Sequence, residues 1–223
     1  MALLFFAVET FAASDKDTFQ VIVHKENKTE RLTQSQVSAI FLGKKNTWAP
    51  GIVVKPVDLP VDNATRKAFS RKVHKKSAKE VDRLWRRRMI QGYSPPAQAS
   101  DDGEVTTLVG ASAGGIGYVK RGFTSADSAD VRVLEVAKDP VLKKKVEPHY
   151  TPMARQAKTR GIVVLKVVIR ENGSVGSVIP IRSLGNGLTG EAERAVRKWR
   201  YEPAKVDGKP VSVTLEIPIS FRP

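Results

Sequence analysis

The sequence predicts two domains: a layered α/β domain over residues 15–137 and a small α+β domain with an antiparallel sheet over residues 146–223. Three observations predict this. In the first stretch, apolar runs of strand length alternate with segments of helical period. In the second, Asn172-Gly173 stands between two apolar runs, the strongest short hairpin signal because both residues tolerate positive φ. Finally, Val211 to Phe221 alternates apolar with polar or proline residues to the end of the chain. Residues 138–145 read as a short linker, stiffened by Pro140 and bounded by Lys143-Lys144-Lys145.

The first elements follow from local signals. Residues 1–14 read as a truncated signal-like segment: Met1 to Val8 is apolar, Ala12 and Ala13 are small, and no basic residue precedes them. Phe19 to Val23 is a strand. Thr33 and Gln36 form a capping box opening a helix through Val37, Ile40 and Phe41, which Gly43 stops. Ile52 to Val57 is a second strand. Asp62-Asn63-Ala64-Thr65 starts a helix with Ala68, Phe69 and Val73 as its stripe. Another helix spans Ala78 to Ile90 on Val81, Leu84, Trp85 and Met89. Tyr93 to Ser100 is a loop, Asp101 to Gly110 a short helix, and Ile116 to Val119 and Val131 to Val136 are strands.

In the second domain, Val163, Leu165, Val167 and Ile169 share one face of a strand, and Val175 to Arg182 returns after the turn. Leu188, Ala192, Ala195, Val196 and Trp199 recur at helical spacing, so an amphipathic helix lies on the hairpin. In the last strand, Val211, Val213, Leu215, Ile217, Ile219 and Phe221 face one way. Pro218 cannot donate to a ladder, which puts this strand at a sheet edge. Such an edge either stays solvated or accepts a guest strand on Ser212, Val213, Thr214, Leu215 and Glu216.

Composition narrows the chemistry. There is no cysteine, so disulfides, thiolate nucleophiles and Cys-based metal sites are excluded. His24, His74 and His149 lack ligand spacing and read as surface or packing residues. Gly114-Gly115-Ile116-Gly117 precedes strand residues rather than a helix and fails the context test for a nucleotide loop. No Ser/His/Asp set is visible; no catalytic residue, metal or cofactor is expected, and the protein reads as a binder rather than an enzyme. The net charge of +15 and pI near 10.1 point to an anionic partner: phosphate, lipid head groups, lipopolysaccharide or nucleic acid. Arg66 to Arg88 carries eleven Lys and Arg against Glu80 and Asp82, either a solvated helix face or an anion-binding surface. No helix-turn-helix, RNA-motif or zinc signature accompanies it, so nucleic acid is not the expected partner.

Two family resemblances add to this reading. Val146-Glu147-Pro148-His149-Tyr150-Thr151-Pro152, the Gly161 to Ile169 strand, Trp199-Arg200-Tyr201-Glu202-Pro203-Ala204 and the strand ending at Phe221 resemble, in order, the C-terminal domain of the TonB family. That resemblance extends back to about residue 141. It implies a periplasmic module that grips a short extended segment of an outer-membrane receptor, or another envelope protein, at a sheet edge, in association with transmembrane transport. Full energy transducers also carry a membrane anchor and a Pro-rich spacer; in these 223 residues no run approaches the roughly 20 apolar residues of a membrane span.

Ile40-Phe41-Leu42-Gly43-Lys44, Trp48, Pro56-Val57-Asp58, Arg66, Phe69 and Gly114 to Val119 resemble the phosphate-type periplasmic solute-binding family, and more closely its short relatives. This implies a periplasmic-binding-protein-like fold for residues 15–137, although the stretch is too short for two full lobes. Where longer members hold phosphate on a Ser-Gly-Thr, this chain has Asn63-Ala64-Thr65. Asp62, Asn63, Ala64, Thr65 and Arg66 therefore form a candidate anion site, or simply a helix start capped by Asp62 or Asn63. The alternatives to a peptide-binding adaptor are thus a periplasmic phosphate or oxyanion binder and a basic protein that binds nucleic acid or an anionic surface.

Overall fold

The computed structural model describes residues 18–49, 51–123 and 129–222; the signal-like segment expected at residues 1–14 lies outside the described residues. The first half runs β1 (Phe19–His24), β2 (Arg31–Thr33), α1 (Gln34–Phe41), β3 (Thr47–Ala49), β4 (Ile52–Val53), β5 (Lys55–Asp58), α2 (Ala64–Phe69), a π-helical turn (Ser70–His74), α3 (Ala78–Ile90), β6 (Ala97–Gln98), α4 (Asp102–Gly110), β7 (Gly115–Lys120) and β8 (Val131–Ala137). The second half runs β9 (Val141–Lys144), α5 (Pro152–Gln156), β10 (Gly161–Ile169), β11 (Val175–Arg182), α6 (Leu188–Arg197), β12 (Arg200–Glu202), β13 (Ala204–Val206), β14 (Lys209–Val211) and β15 (Val213–Phe221).

The first half is an α/β unit on a mixed sheet ordered β2-β8-β1-β7-β5-β6. β1 pairs antiparallel with β7 and β8, whereas β2/β8, β5/β7 and β5/β6 are parallel. Its core is aromatic: Phe69 stacks on Tyr118 with centroids 3.8 Å apart, and Phe41 and Phe19 meet that pair edge-on or tilted. The expected capping box forms, with the Thr33 hydroxyl accepting from the Gln36 amide and the Gln36 side chain accepting from the Thr33 amide. The glycine-rich stretch serves close packing. A Cβ on Gly114 would lie 1.9 Å from the Val53 carbonyl oxygen, and one on Gly117 would lie 2.6 Å from a Val105 methyl.

The second half is α+β. Its three-stranded antiparallel sheet has the order β11-β10-β15, with β10 in the centre. Val163, Leu165, Val167 and Ile169 of β10 are fully buried with Leu188, Ala192 and Val196 of α6. Trp199 lies beyond the helix yet stays buried, its indole N–H donating to the Val146 carbonyl at 2.7 Å.

Several expectations change. Residues 138–145, expected as a linker, hold β9, which pairs with β12, and Lys138 exchanges backbone hydrogen bonds with Lys205. Ala137, at the end of β8, already belongs to the second core. The strand expected over Ile52 to Val57 breaks at Val54, whose amide turns to the Asn46 carbonyl. The loop expected over Tyr93 to Ser100 contains β6, a parallel partner of β5. The last strand begins at Val213, because Val211 belongs to β14 and pairs with Ala204.

His74 is the packing histidine the sequence suggested. It is 8% exposed, and its Nδ1 lies 2.9 Å from the Ser38 hydroxyl. Burial, followed by the charges of Arg66 and Lys76, pushes its pKa down to about 4. The unfolded chain takes up this proton near the ordinary value of 6.5, so it binds more protons than the folded state between about 6.5 and 4. Stability is therefore expected to fall with pH across that window by up to about 3 kcal/mol and then level off. Urea denaturation from pH 7 to 4 on the parent and on His74→Gln checks this: the variant should lose that part of the slope.

Candidate functional site

β15 is paired on one side only. Its register with β10 runs from Gly161 opposite Phe221 to Ile169 opposite Val213. Backbone groups of successive strand residues point alternately to the two sides. The Ser212 and Thr214 carbonyls point away from β10, toward the first half of the chain, so residues 212, 214, 216, 218 and 220 share the outer side. Pro218, which has no N–H, falls in that outward set, consistent with its place at an edge. Of the sequence-predicted residues, Val213, Thr214, Leu215 and Glu216 therefore lie on an edge strand, and Ser212 stands immediately before it. Thr214 and Glu216 have exposed side chains, while Val213 and Leu215 turn inward.

That edge is not bare. Arg31 Nη1 donates to the Ser212 carbonyl at 2.9 Å, and Gln36 Nε2 donates to the Thr214 carbonyl at 2.8 Å. Lys45 Nζ stands 3.7 Å from the Glu216 carboxylate. Each holder is itself held. Arg31 is paired with Glu135, its Nε 2.7 Å from Oε2. Gln36 uses its oxygen for the cap of α1, which leaves its NH₂ aimed at β15. Among the described residues, the outward amides of Thr214 and Glu216 receive no partner from the first half. Sequence reasoning found the strand and missed the three side chains along it. The Thr33/Gln36 capping box was the available signal, since it fixes where the Gln36 amide points.

The second candidate resolves into its two readings. Asn63 is the N-cap of α2, and its Oδ1 accepts from the amides of Thr65 at 2.8 Å and Arg66 at 3.3 Å. The backbone donors that would cradle an anion are thus directed at the protein's own side chain. Asp62 and Ala64 are exposed beside it. Arg66 is buried: Nη2 lies 3.0 Å from Asp58 Oδ2 and Nη1 donates to the Leu59 carbonyl at 2.6 Å. The Tyr118 hydroxyl donates to the other Asp58 oxygen. Burial pushes both the Asp58 carboxyl and the Tyr118 phenol above their usual ranges; for Asp58, the Arg66 charge offsets part of that effect.

The second part of the basic stretch is a largely solvated face of α3. Arg83 and Arg87 are exposed, and Arg86 pairs with Asp82 at 2.7 Å. Arg88 is different: it donates to the Leu42 carbonyl and lies over the rings of Trp85 and Tyr93.

The family model for the Gram-negative bacterial TonB protein C-terminal matches residues 146–223. Protein TonB of Xanthomonas campestris pv. campestris is 33% identical over 75 residues, covering 33% of this chain and 34% of that protein. The chain spans about a third of the length of the curated relatives it matches. The solution structure of the Pseudomonas aeruginosa TonB C-terminal domain is 25% identical and covers 38% of this chain and 86% of that one, with a TM-score of 0.33. An ABC-type phosphate transport receptor from Vibrio cholerae is 16% identical and covers 54% of this chain and 46% of that one, with a TM-score of 0.43. The last third of the chain is TonB-like. Among the described residues no helix is long and apolar enough to cross a membrane.

The Asp58–Arg66–Tyr118 cluster makes a stability prediction. Removing one partner of a buried ion pair leaves the other charge uncompensated, at about 3–5 kcal/mol. Arg66→Met is expected to lose stability on that scale, and Asp58→Asn added to it should restore a large part. Denaturant midpoints at neutral pH decide this: a single variant as stable as the parent would show that Asp58 does not depend on Arg66.

Proposed function

We propose that this chain is a cell-envelope binding protein. In this reading it works in the periplasm, in association with transmembrane transport, and carries out no chemistry of its own. Its TonB-like module takes an extended segment of an outer-membrane receptor, or of another envelope protein, on the outer side of β15. The observation that carries the reading is that β15 is paired on one side only, with outward amides at Thr214 and Glu216. A guest strand would pair with those amides and with the outward carbonyls.

The same geometry makes the edge a competed one. An arriving strand must take the Ser212 and Thr214 carbonyls from Arg31 and Gln36. A hydrogen bond is worth about 0.5–1.5 kcal/mol net, or about 1.5–3 when one partner is charged. The two holders therefore weaken guest binding by roughly thirtyfold to a thousandfold or more relative to a bare edge. A grip of that kind is weak and exchanges readily.

Phosphate capture at residues 62–66 is the other reading the sequence raised, and the Asn63 cap speaks against it. Calorimetry with inorganic phosphate separates the two: micromolar heat abolished by Thr65→Ala would favour capture.

The edge reading is tested by titrating the labelled protein with extended peptides from the periplasmic N-termini of outer-membrane receptors. Amide shifts should concentrate at Thr214, Glu216 and Ser220, and Thr214→Pro should weaken binding by deleting an outward amide. Arg31→Met with Gln36→Glu should tighten it by about thirtyfold or more. The glutamate keeps the cap on α1 while removing the donor to Thr214. Shifts confined to β11 or α6, or a folded Thr214→Pro protein with unchanged affinity, would sink the mechanism.

A further inference from the structure

A cleft of ≈ 780 Å³ lies between the first half and the turn joining β13 to β14. Arg71, Lys72 and Lys75 form one wall, and Lys138 and Lys205 form part of the other; among the described residues lining it, Asp207 is the one acidic side chain. The described lining is thus predominantly basic. Lys205 is paired with Glu202 at 3.1 Å, and Lys75 Nζ donates to Gln34 Oε1 at 3.3 Å. Among the described residues, Arg71 and Lys138 have no carboxylate partner. Like charges gathered around one concavity repel one another and focus a positive potential into it.

The backbone that presents this wall is unusual. Arg71 and Lys72 lie on the π-helical turn, a form that often marks functional sites. Lys75 ends the turn in the left-handed region at φ 54, where glycine or asparagine is the ordinary residue. A lysine accepts strain there, and its ammonium joins the cleft.

Phe19, Ala68 and Val136 give the cleft an apolar part. Its volume is in the range of small-molecule pockets and exceeds the need of a single phosphate ion. We infer that this cleft is a binding site for an organic molecule bearing two or more phosphate groups, its carbon skeleton against the apolar part and its phosphates between the Arg71/Lys75 and Lys138 walls. Such a group comes either from a soluble phosphorylated sugar or from the headgroup of a phosphorylated lipid. The inference is independent of strand pairing at β15.

The test uses the full chain. Calorimetry in about 0.1 M salt compares inositol hexakisphosphate, fructose 1,6-bisphosphate and inorganic phosphate, and co-sedimentation uses phosphatidylglycerol vesicles with and without diphosphorylated lipid A. Expected is micromolar binding of the multiply phosphorylated probes and markedly weaker binding of inorganic phosphate. Arg71→Gln with Lys75→Gln, and separately Lys138→Gln, should weaken binding by about tenfold or more. Arg83→Gln with Arg87→Gln, on the exposed face of α3, should leave it unchanged. Vesicle binding that needs lipid A and is lost in the same cleft variants identifies the lipid source; binding of soluble probes alone identifies the sugar source. Equal losses from the α3 and cleft substitutions, or no binding of any probe by the folded protein, overturn the inference.

Discussion

A row of backbone groups along β15 has no strand to pair with, and much of the molecule is arranged around that fact. A three-stranded sheet with β10 in the centre has two edges, and buried or half-buried edge groups must find partners. Here the partners are side chains of the first half. Arg31, Gln36 and Lys45 come from β2, α1 and the segment just after it, and they line up along residues 212, 214 and 216. In the proposed reading, a guest strand would be another way to satisfy the same groups. The edge is protected against indiscriminate pairing without being covered by another strand.

The two halves share more than this seam. β8 contributes Leu134 to the first core and Ala137 to the second, and Lys138 is bonded to Lys205 one residue later. The stretch expected to separate the halves instead ties them, because β9 pairs with β12 immediately afterwards. Asp58, Arg66 and Tyr118 act similarly within the first half. An arginine that resembles an anion ligand in sequence is used to tie the end of β5 to α2 and β7.

The elements that sequence revealed are those specified by neighbours in the chain. Asn172-Gly173 marks its hairpin, the Thr33/Gln36 box starts α1, and the alternation in β10 and β15 sets which face is buried. The elements that escaped it are short and exist because of distant partners. β6 is two residues long and is a strand because β5 runs beside it. β9 is exposed throughout and offers no apolar pattern to read. The β13–β14 hairpin was legible in principle, since Asp207 and Gly208 both take positive φ at its turn, but the alternation running through Val211 hid the break before Val213. The candidate edge was legible as an edge through Pro218. Its occupants were not, because Arg31 and Gln36 lie 181 and 178 residues from the carbonyls they hold. Nor does Asn63-Ala64-Thr65 reveal by spacing alone that its first side chain will occupy the helix amides.

β2 lies close along the start of β15, with Cα atoms of the two strands within 8 Å, so in the proposed reading a guest strand has to displace the first half there. Arg31 keeps its ion pair with Glu135, and Gln36 keeps its bond to the Thr33 amide, when either releases a carbonyl of β15. Both side chains are anchored by their other contacts, so releasing the two carbonyls leaves those contacts in place. Meanwhile the backbone bonds between Lys138 and Lys205, on a different part of the second half, stay in place. In that reading, the guest would compete with β2 for the start of β15 while the joint at Lys138 and Lys205 stays bonded.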